Sequence, residues 1–163
     1  MRGPGGSAIA RFMSEAAPPP VPGNVSMVTL GVADLPRATA FYRALGWVDS
    51  TASQETVTFL IGTDVVLGLY PLDQLAEDVG VANAAPGFRG VTLAVNKPSE
   101  EEVDAFVALA QQAGAAVIKQ PQAVFWGGYS GYFADPDGHL WEVAFNPFFQ
   151  TDDAGRLTLE PAS

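Results

Sequence analysis

The chain contains no cysteine and a single histidine among its 163 residues. Without cysteine it can form no disulfide, no thiolate nucleophile and no sulfur-ligated metal site, and a reducing cytoplasm suits such a protein. With His139 as the one imidazole, a single chain cannot assemble a centre of two histidines and one carboxylate. We therefore expect a cytoplasmic protein without a metal ion or other cofactor, unless two chains share the ligands.

Basic residues are also scarce. Lysine and arginine number 8 against 18 aspartates and glutamates, which gives a net charge of −10. This charge disfavours nucleic acid and anionic membrane surfaces as partners. The chain has no run of 18 apolar residues, and no apolar segment of signal-peptide length follows Arg2, so we expect neither a membrane-spanning helix nor export by that route.

Length and composition favour one globular domain with a tail at each end. Of the 163 residues, 48% are apolar, which is enough for an independent core. Residues 1–24 are rich in glycine, proline and alanine, and residues 150–163 are short and mostly polar. We interpret residues 1–24 as a disordered tail and residues 150–163 as a C-terminal tail, both dispensable, around a domain at residues 25–149.

The first half of this domain shows a regular order of elements. Residues 26–32 alternate large and small side chains, which predicts a half-buried strand. Asp34 followed by Pro36 predicts a helix start, and Gly46 predicts its end. Residues 72–85 give no clear prediction. The expected elements are a strand at 26–32, a helix at 36–45 and strands at 56–61 and 65–70.

The same order begins again about 63 residues later. Residues 91–95, VTLAV, match residues 28–32, VTLGV, and an alanine-phenylalanine pair and a helix-ending glycine recur after each. Ser99, with a glutamate three positions later, forms a capping box for the second helix. The sequence therefore predicts two βαβββ copies, at about residues 26–70 and 90–146.

The stretch at residues 125–149 ends the second copy and contains a tight turn. Its DPDG sequence at 135–138 predicts a hairpin between two strands. After the turn, Glu142 lies among smaller side chains on one strand face, whereas His139 lies on the opposite, bulkier face because side chains alternate. We expect His139 at a turn or helix-packing edge.

In both copies, one strand face carries large apolar side chains suited to packing on helices, and the other carries small or polar ones. Sheets of this kind most simply curve around a pocket, although small residues can instead relieve crowding between two sheets. Aromatic rings beside the glycines at 127–131 suit planar or cationic organic molecules, while we expect Phe125 and Phe133 to fill the core. The candidate ligand-binding residues are Thr29, Tyr70, Thr92, Trp126, Tyr129 and Glu142.

These features together resemble the vicinal oxygen chelate superfamily, which contains glyoxalase I, bleomycin resistance proteins, fosfomycin resistance enzymes and extradiol dioxygenases. The resemblance covers about residues 26–148 and rests on FYRALG at 41–46 and DPDGHLWE at 135–142. It implies an α+β fold in which two βαβββ modules form curved mixed sheets around a cleft, often within a homodimer. It does not by itself imply a reaction.

Metal enzymes of that superfamily place their ligands at positions that correspond here to Met27, Gly68, Gly90 and Glu142. Of these, only Glu142 has a side chain that binds a hard divalent ion. The resemblance therefore implies neither a metal-dependent glyoxalase nor a metal-dependent dioxygenase built from one chain.

Two functional classes remain. The predicted function is binding of a small organic molecule in a metal-free cleft, as in the bleomycin resistance proteins. The alternative is a metal-independent isomerase, epimerase or lyase in which Glu142 is the acid or base and Tyr70, Tyr129 or Tyr132 supplies a proton. A structural or regulatory dimer with a vestigial cleft is a third possibility.

Overall fold

The computed structural model describes residues 25–83, 87–125, 127–152 and 156–158. The helices within these residues are α1 (Leu35–Ala44), α2 (Leu72–Val79) and α3 (Glu100–Gln112). The strands are β1 (Met27–Val32), β2 (Val48–Asp49), β3 (Thr58–Ile61), β4 (Val66–Pro71), β5 (Leu93–Asn96), β6 (Ala116–Ala123), β7 (Tyr129–Ala134), β8 (Leu140–Phe145), β9 (Gln150–Thr151) and β10 (Leu157–Thr158).

The chain folds as two modules joined by α2. The first module is β1-α1-β2-β3-β4, and the second is β5-α3-β6-β7-β8. Sheet 1 has the order β1-β4-β3-β2 and sheet 2 the order β5-β8-β7-β6. In each, the first and last strands of the module are parallel and the other neighbours antiparallel, and the two sheets do not close on each other. The predicted α+β fold of two βαβββ modules is confirmed.

The predicted helix boundaries are confirmed to within about one residue. The carboxylate of Asp34 accepts the backbone N–H of Arg37 at 2.9 Å, and Gly46 follows the helix with φ of 93°. The hydroxyl of Ser99 accepts the N–H of Glu102 at 3.3 Å and caps α3. Among the described helices, none combines the length and apolar character needed to cross a bilayer.

Two local features were not predicted from the sequence, and one differs from the expectation. The two-residue strand β2 is too short for a periodic signal, and β5 begins only at Leu93, with Val91 exposed outside the sheet. Helix α2 has no side-chain cap and no fully buried residue. It is held by packing on β1, where a Cβ on Gly31 would lie 2.6 Å from Cδ1 of Leu72.

One apolar core joins the two modules. The ring of Phe41 on α1 lies 6.3 Å from that of Phe133 on β7, and the ring of Tyr42 lies 5.9 Å from that of Trp141 on β8. Phe133 is fully buried, which confirms its predicted place in the core. The same prediction for Phe125 is wrong: its side chain is fully exposed in the loop between β6 and β7.

A chain of buried hydrogen bonds runs through this core to the DPDG turn. Trp141 Nε1 donates to the Tyr42 hydroxyl at 3.2 Å, and that hydroxyl donates to Asp135 Oδ2 at 2.6 Å. His139 Nδ1 lies 2.8 Å from the same carboxylate oxygen, so His139 occupies the turn as predicted.

Burial and pairing shift the pKa values of Asp135 and His139 in opposite directions. Burial disfavours both charged forms, but the hydrogen bond between Asp135 and His139 and their opposite charges outweigh it. The pKa of Asp135 therefore lies below its ordinary value, and the pKa of His139 lies above. Tyr42 stays a neutral donor because burial and the nearby carboxylate raise its pKa.

The segment predicted as a C-terminal tail contains a short hairpin. Strands β9 and β10 pair antiparallel, and Arg156 Nε donates to both carboxylate oxygens of Asp64, at 2.7 and 2.9 Å. Both partners are well exposed, and exposed ion pairs contribute little to stability. That this segment is dispensable stays a prediction. The other predicted tail, residues 1–24, lies outside the described residues.

Candidate functional site

Each sheet has one face toward the core and another, here called the open face, turned away from it. Core-facing residues that are buried, as predicted for the large faces, are Leu30, Val32, Leu67, Leu69, Trp141 and Val143. The open face of sheet 1 carries Met27, Thr29, Gly31, Phe59, Ile61, Val66, Gly68 and Tyr70. The open face of sheet 2 carries Ala94, Lys119, Ser130, Tyr132, Ala134, Leu140, Glu142 and Ala144.

Strand register places four of these residues in one line across sheet 2, here called the polar row. Ala94 lies opposite Glu142, Glu142 opposite Tyr132, and Tyr132 opposite Lys119. Neighbouring strands are about 4.8 Å apart, so the row extends roughly 10 Å from the strand of Glu142 to that of Lys119. A carboxylate, a phenol and an ammonium group thus follow one another across three strands.

Contacts within the polar row link its side chains. Tyr132 lies directly opposite Glu142 on the neighbouring strand, and Lys119 Nζ lies 5.9 Å from the centroid of the Tyr132 ring. Partial burial, and then the interaction with the neighbouring carboxylate of Glu142, raise the pKa of Tyr132. The phenol therefore remains protonated and can donate a hydrogen bond. Both side chains are only partly buried, so a ligand can reach them from the open side.

The open face of sheet 1 has a gap in the middle of its side chains. Gly68 lies between Thr29 and Phe59 in register, and a Cβ on Gly68 would be 3.3 Å from Thr29 Oγ1 and 3.7 Å from Phe59 Cε1. Tyr70, two residues farther along β4, is partly buried opposite Gly31. Of the predicted ligand-binding residues, Thr29 and Tyr70 share this face.

The next line of residues on sheet 1 is entirely apolar. Met27, Val66, Ile61 and Val48 follow one another across all four strands and form what is here called the apolar row. The exposed fractions are 45% for Met27, 50% for Ile61 and 62% for Val48. Such a line of exposed apolar side chains across one end of a sheet is unusual for a surface that faces only water.

The remaining predicted ligand-binding residues lie elsewhere. Tyr129 is on the core-facing side of β7, opposite to Tyr132, and its hydroxyl donates to Asp104 of α3 at 3.0 Å. Thr92 is exposed just before β5 begins. Trp126 lies outside the described residues. The structure therefore brings Glu142 together with Tyr132, not with Tyr129 or Thr92.

Lys119 was not predicted as a site residue. Strand β6 is irregular, with register shifts on both sides of Lys119 where Pro121 interrupts the pairing. These shifts turn Lys119 toward the open face beside Tyr132. The position of Tyr132 could have been predicted from the sequence, because hairpin pairing around the DPDG turn sets it opposite Glu142.

The side chains at the superfamily's metal-ligand positions do not fit a divalent metal centre within one chain. Met27 offers a thioether, Gly68 and Gly90 offer no side-chain donor, and Glu142 offers one carboxylate. Within the described part of the chain, no group of three histidine, cysteine, aspartate or glutamate side chains is arranged to hold a metal ion. His139 is committed to Asp135 at the turn. That the cleft is metal-free stays a prediction.

Two cavities lie outside both rows. One, of about 250 Å³, lies where β5 and β8 end, and the other, of about 310 Å³, lies between α1 and the start of β3. Neither is lined by Glu142, Tyr132 or Lys119. The ligand cleft predicted from the small faces therefore stays a prediction.

Comparison with known proteins identifies relatives across most of the chain. The family model described as the Glyoxalase/Bleomycin resistance protein/Dioxygenase superfamily matches residues 24–143. The metallothiol transferase FosB of Shouchella clausii strain KSM-K16 is 28% identical over 123 residues, which cover 74% of this chain and 78% of that protein.

Solved structures show the same architecture. A glyoxalase-related enzyme from Fulvimarina pelagi superposes with a TM-score of 0.76 at 35% identity, covering 85% of this chain and 99% of that one. A glyoxalase/bleomycin resistance protein/dioxygenase family enzyme from Burkholderia phytofirmans PsJN superposes with a TM-score of 0.69 at 21% identity, covering 76% and 98%. At that identity the second likeness concerns the fold alone.

Proposed function

The chain belongs to the Glyoxalase/Bleomycin resistance protein/Dioxygenase superfamily, and we propose that it binds a small organic molecule on the open faces of its sheets without a metal ion. The observation that carries this proposal is the polar row. Glu142, Tyr132 and Lys119 lie opposite one another on three neighbouring strands and are only partly buried. Sites built on strands hold their groups more precisely than sites on loops.

The order of groups in the polar row suggests the ligand. Glu142 accepts a hydrogen bond or pairs with a cation, Lys119 binds an acceptor, and the Tyr132 ring between them offers a stacking surface. A planar molecule with a donor or cationic group at one end and an acceptor about 10 Å away matches this spacing. On sheet 1, Thr29 and Phe59 around Gly68 provide a second, mostly apolar wall.

Metal-dependent thiol transfer is the function to test against, because the Shouchella clausii relative is named a metallothiol transferase. In this chain only Glu142 supplies a hard donor at the ligand positions. We expect purified protein to contain no stoichiometric divalent metal by elemental analysis. One zinc, nickel, iron or manganese per chain that resists chelation would contradict this and would point to ligands shared between chains.

We also propose a homodimer, because the apolar row gives each chain an exposed apolar surface that a second copy can cover. Light scattering should give the mass of two chains. Ile61→Glu should shift the mass toward one chain because it places a charge in the apolar row, whereas Val79→Glu on the exposed end of α2 should not. A wild-type protein that is monomeric at every concentration would refute the dimer.

The alternative is catalysis by the same residues. The position of Tyr132 beside Glu142 favours it, because proton abstraction with stabilisation of the resulting oxyanion requires a carboxylate base and a protonated phenol. In a metal-independent isomerase, epimerase or lyase, Glu142 takes the proton and Tyr132 donates to the developing charge. We prefer binding, because the acid and the base lie side by side on one sheet and not on two sides of a bound substrate.

The test begins with a thermal-shift screen of aromatic and cationic metabolites and antibiotics against the full chain. A stabilising compound is then titrated calorimetrically against wild type, Glu142→Gln and Lys119→Met, with Tyr129→Phe as a control on the other face of β7. We expect at least a tenfold loss of affinity for Glu142→Gln and Lys119→Met, because each removes a charge-assisted hydrogen bond to the ligand worth about 1.5–3 kcal/mol, and no loss for the control. Equal affinity in all four proteins would refute the site.

Product analysis with the same compound separates binding from catalysis. If the protein only binds, the compound is recovered unchanged and Glu142→Gln alters affinity alone. If Glu142 transfers a proton, the substitution abolishes turnover while most of the binding remains.

A further inference from the structure

The 250 Å³ cavity lies at the carboxyl ends of the parallel strands β5 and β8. In sheets with parallel strands, ligands commonly bind in the crevice beyond these ends. The volume is slightly below the roughly 300–1,000 Å³ typical of small-molecule sites, so it suits a compound of about one ring. None of the residues in the polar row lines it, and the proposed function does not use it.

The one charged side chain that lines this cavity is Lys97. Its Nζ lies 4.2 Å from the centroid of the Phe106 ring, and no described carboxylate is within ion-pair distance of it. By contrast, the guanidinium groups of Arg37, Arg43 and Arg156 all pair with aspartates. A half-buried ammonium without a carboxylate partner is unexpected in a chain with 18 acidic residues.

The partial burial of the Lys97 ammonium favours the binding of an anion beside it. Burial lowers the pKa of Lys97, and the negative charge of Glu102 opposes only part of this shift. An anion in the cavity would supply the missing counter-charge at close range. Charge-assisted hydrogen bonds of this kind are among the stronger ones in proteins.

The other lining residues define the rest of the ligand. Asn96 and Asn146 contribute carboxamides, and the Asn146 side-chain oxygen already accepts the N–H of Phe148 at 2.9 Å, which leaves its amide nitrogen to donate. Phe145 and Phe149 contribute aromatic walls. An anionic head with an apolar body matches this combination.

We propose that this cavity binds a small organic monocarboxylate, with the carboxylate at the Lys97 ammonium and the apolar body against Phe145 and Phe149. A single negative charge is favoured over two because Glu100, Glu101 and Glu102 form the first turn of α3, which only Ser99 separates from Pro98 of the cavity wall. Their charges repel a dianion such as phosphate more strongly than a carboxylate.

Benzoate is the probe, because it has one ring and one carboxylate, and benzamide is its neutral counterpart of the same shape. Both compounds and inorganic phosphate are titrated calorimetrically into the full-length protein. We expect benzoate to bind with one site per chain. Benzamide and phosphate should bind at least tenfold more weakly, because benzamide lacks the negative charge and phosphate lacks the apolar ring.

Four variants place the benzoate site. Arg89→Met removes an exposed cation outside both proposed sites and is the control for Lys97→Met, while Lys119→Met reports whether benzoate binds the polar row instead. Lys97→Met should weaken benzoate at least tenfold because it removes the ammonium but keeps the side-chain volume. Lys97→Arg and Arg89→Met should stay within about threefold of wild type, since the first substitution retains the charge and Arg89 is not part of this cavity.

Absence of benzoate binding, equal binding of benzoate and benzamide, or unchanged affinity in Lys97→Met would each overturn the proposal. Loss of binding in Lys119→Met alone would place benzoate at the polar row, which refutes this cavity while leaving the proposed function intact. If Lys97→Met does not fold, the ratio of the benzoate affinity to the benzamide affinity of Lys97→Arg decides. A ratio of ten or more supports the proposal, and a ratio near one rejects it.

Discussion

Replacing Tyr42 by phenylalanine tests how the two modules are held together. The Tyr42 hydroxyl belongs to the first module, yet it donates to Asp135 and accepts from Trp141, both in the second. Its loss removes a charge-assisted hydrogen bond to a buried carboxylate, worth about 1.5–3 kcal/mol, and leaves the Trp141 N–H without that acceptor. Because the ring remains, little packing is lost, and we expect destabilisation of about 2–4 kcal/mol.

The assay is urea unfolding followed by tryptophan fluorescence. Tyr42→Phe should lower the transition midpoint without changing the slope, and it should lower the melting temperature by roughly 5–15 °C for a chain of this size. Tyr129→Phe is the control, because its hydroxyl also donates to an aspartate but in an exposed position, and it should leave the midpoint unchanged. A Tyr42→Phe protein as stable as wild type would refute the role of this hydroxyl in joining the modules.

Three further predictions concern stability. The Asp135–His139 pair should contribute its full share to the free energy of unfolding between about pH 4 and pH 6.5. This contribution is lost when the pH falls through the lowered pKa of Asp135 and when the pH rises through the raised pKa of His139. His139→Gln should therefore remove the decline in unfolding free energy on the alkaline side. Gly131→Ala should destabilise by about 1–3 kcal/mol in urea unfolding, since its Cβ would lie 2.9 Å from the backbone nitrogen of Pro121, whereas Gly87→Ala, with open space around it, should be neutral. A protein limited to residues 25–150 should keep cooperative thermal unfolding, and a broad transition would show that a terminal segment packs on the domain.

Much of the fold was predictable because its signals are local. Asp34, Gly46 and Ser99 define helix ends through their own backbone and side-chain chemistry, and the DPDG turn sets the pairing of β7 with β8. The internal repeat then gives the βαβββ order of both modules. Helix α2 could not be predicted, because it depends on contact between its first residue, Leu72, and Gly31, which lies far earlier in the chain.

The candidate site was only partly predictable, because local strand alternation places some of its residues but not all of them. Glu142 was found because strand alternation separates it from His139, and alternation also sets Tyr129 and Tyr132, three residues apart, on opposite faces. The position of Lys119 depends on an irregular strand, which sequence periodicity does not reveal. The cytoplasmic location stays a prediction from composition.

A map of amide chemical-shift changes on adding a stabilising compound tests the central claim most directly, because it locates the ligand on the protein. If the compound binds the polar row, the largest changes should fall on its four residues, which lie on the neighbouring strands β5, β8, β7 and β6: Ala94, Glu142, Tyr132 and Lys119. Changes confined to the core, to the surface of α2 or to the cavity around Lys97, with the polar row unaffected, would contradict the account.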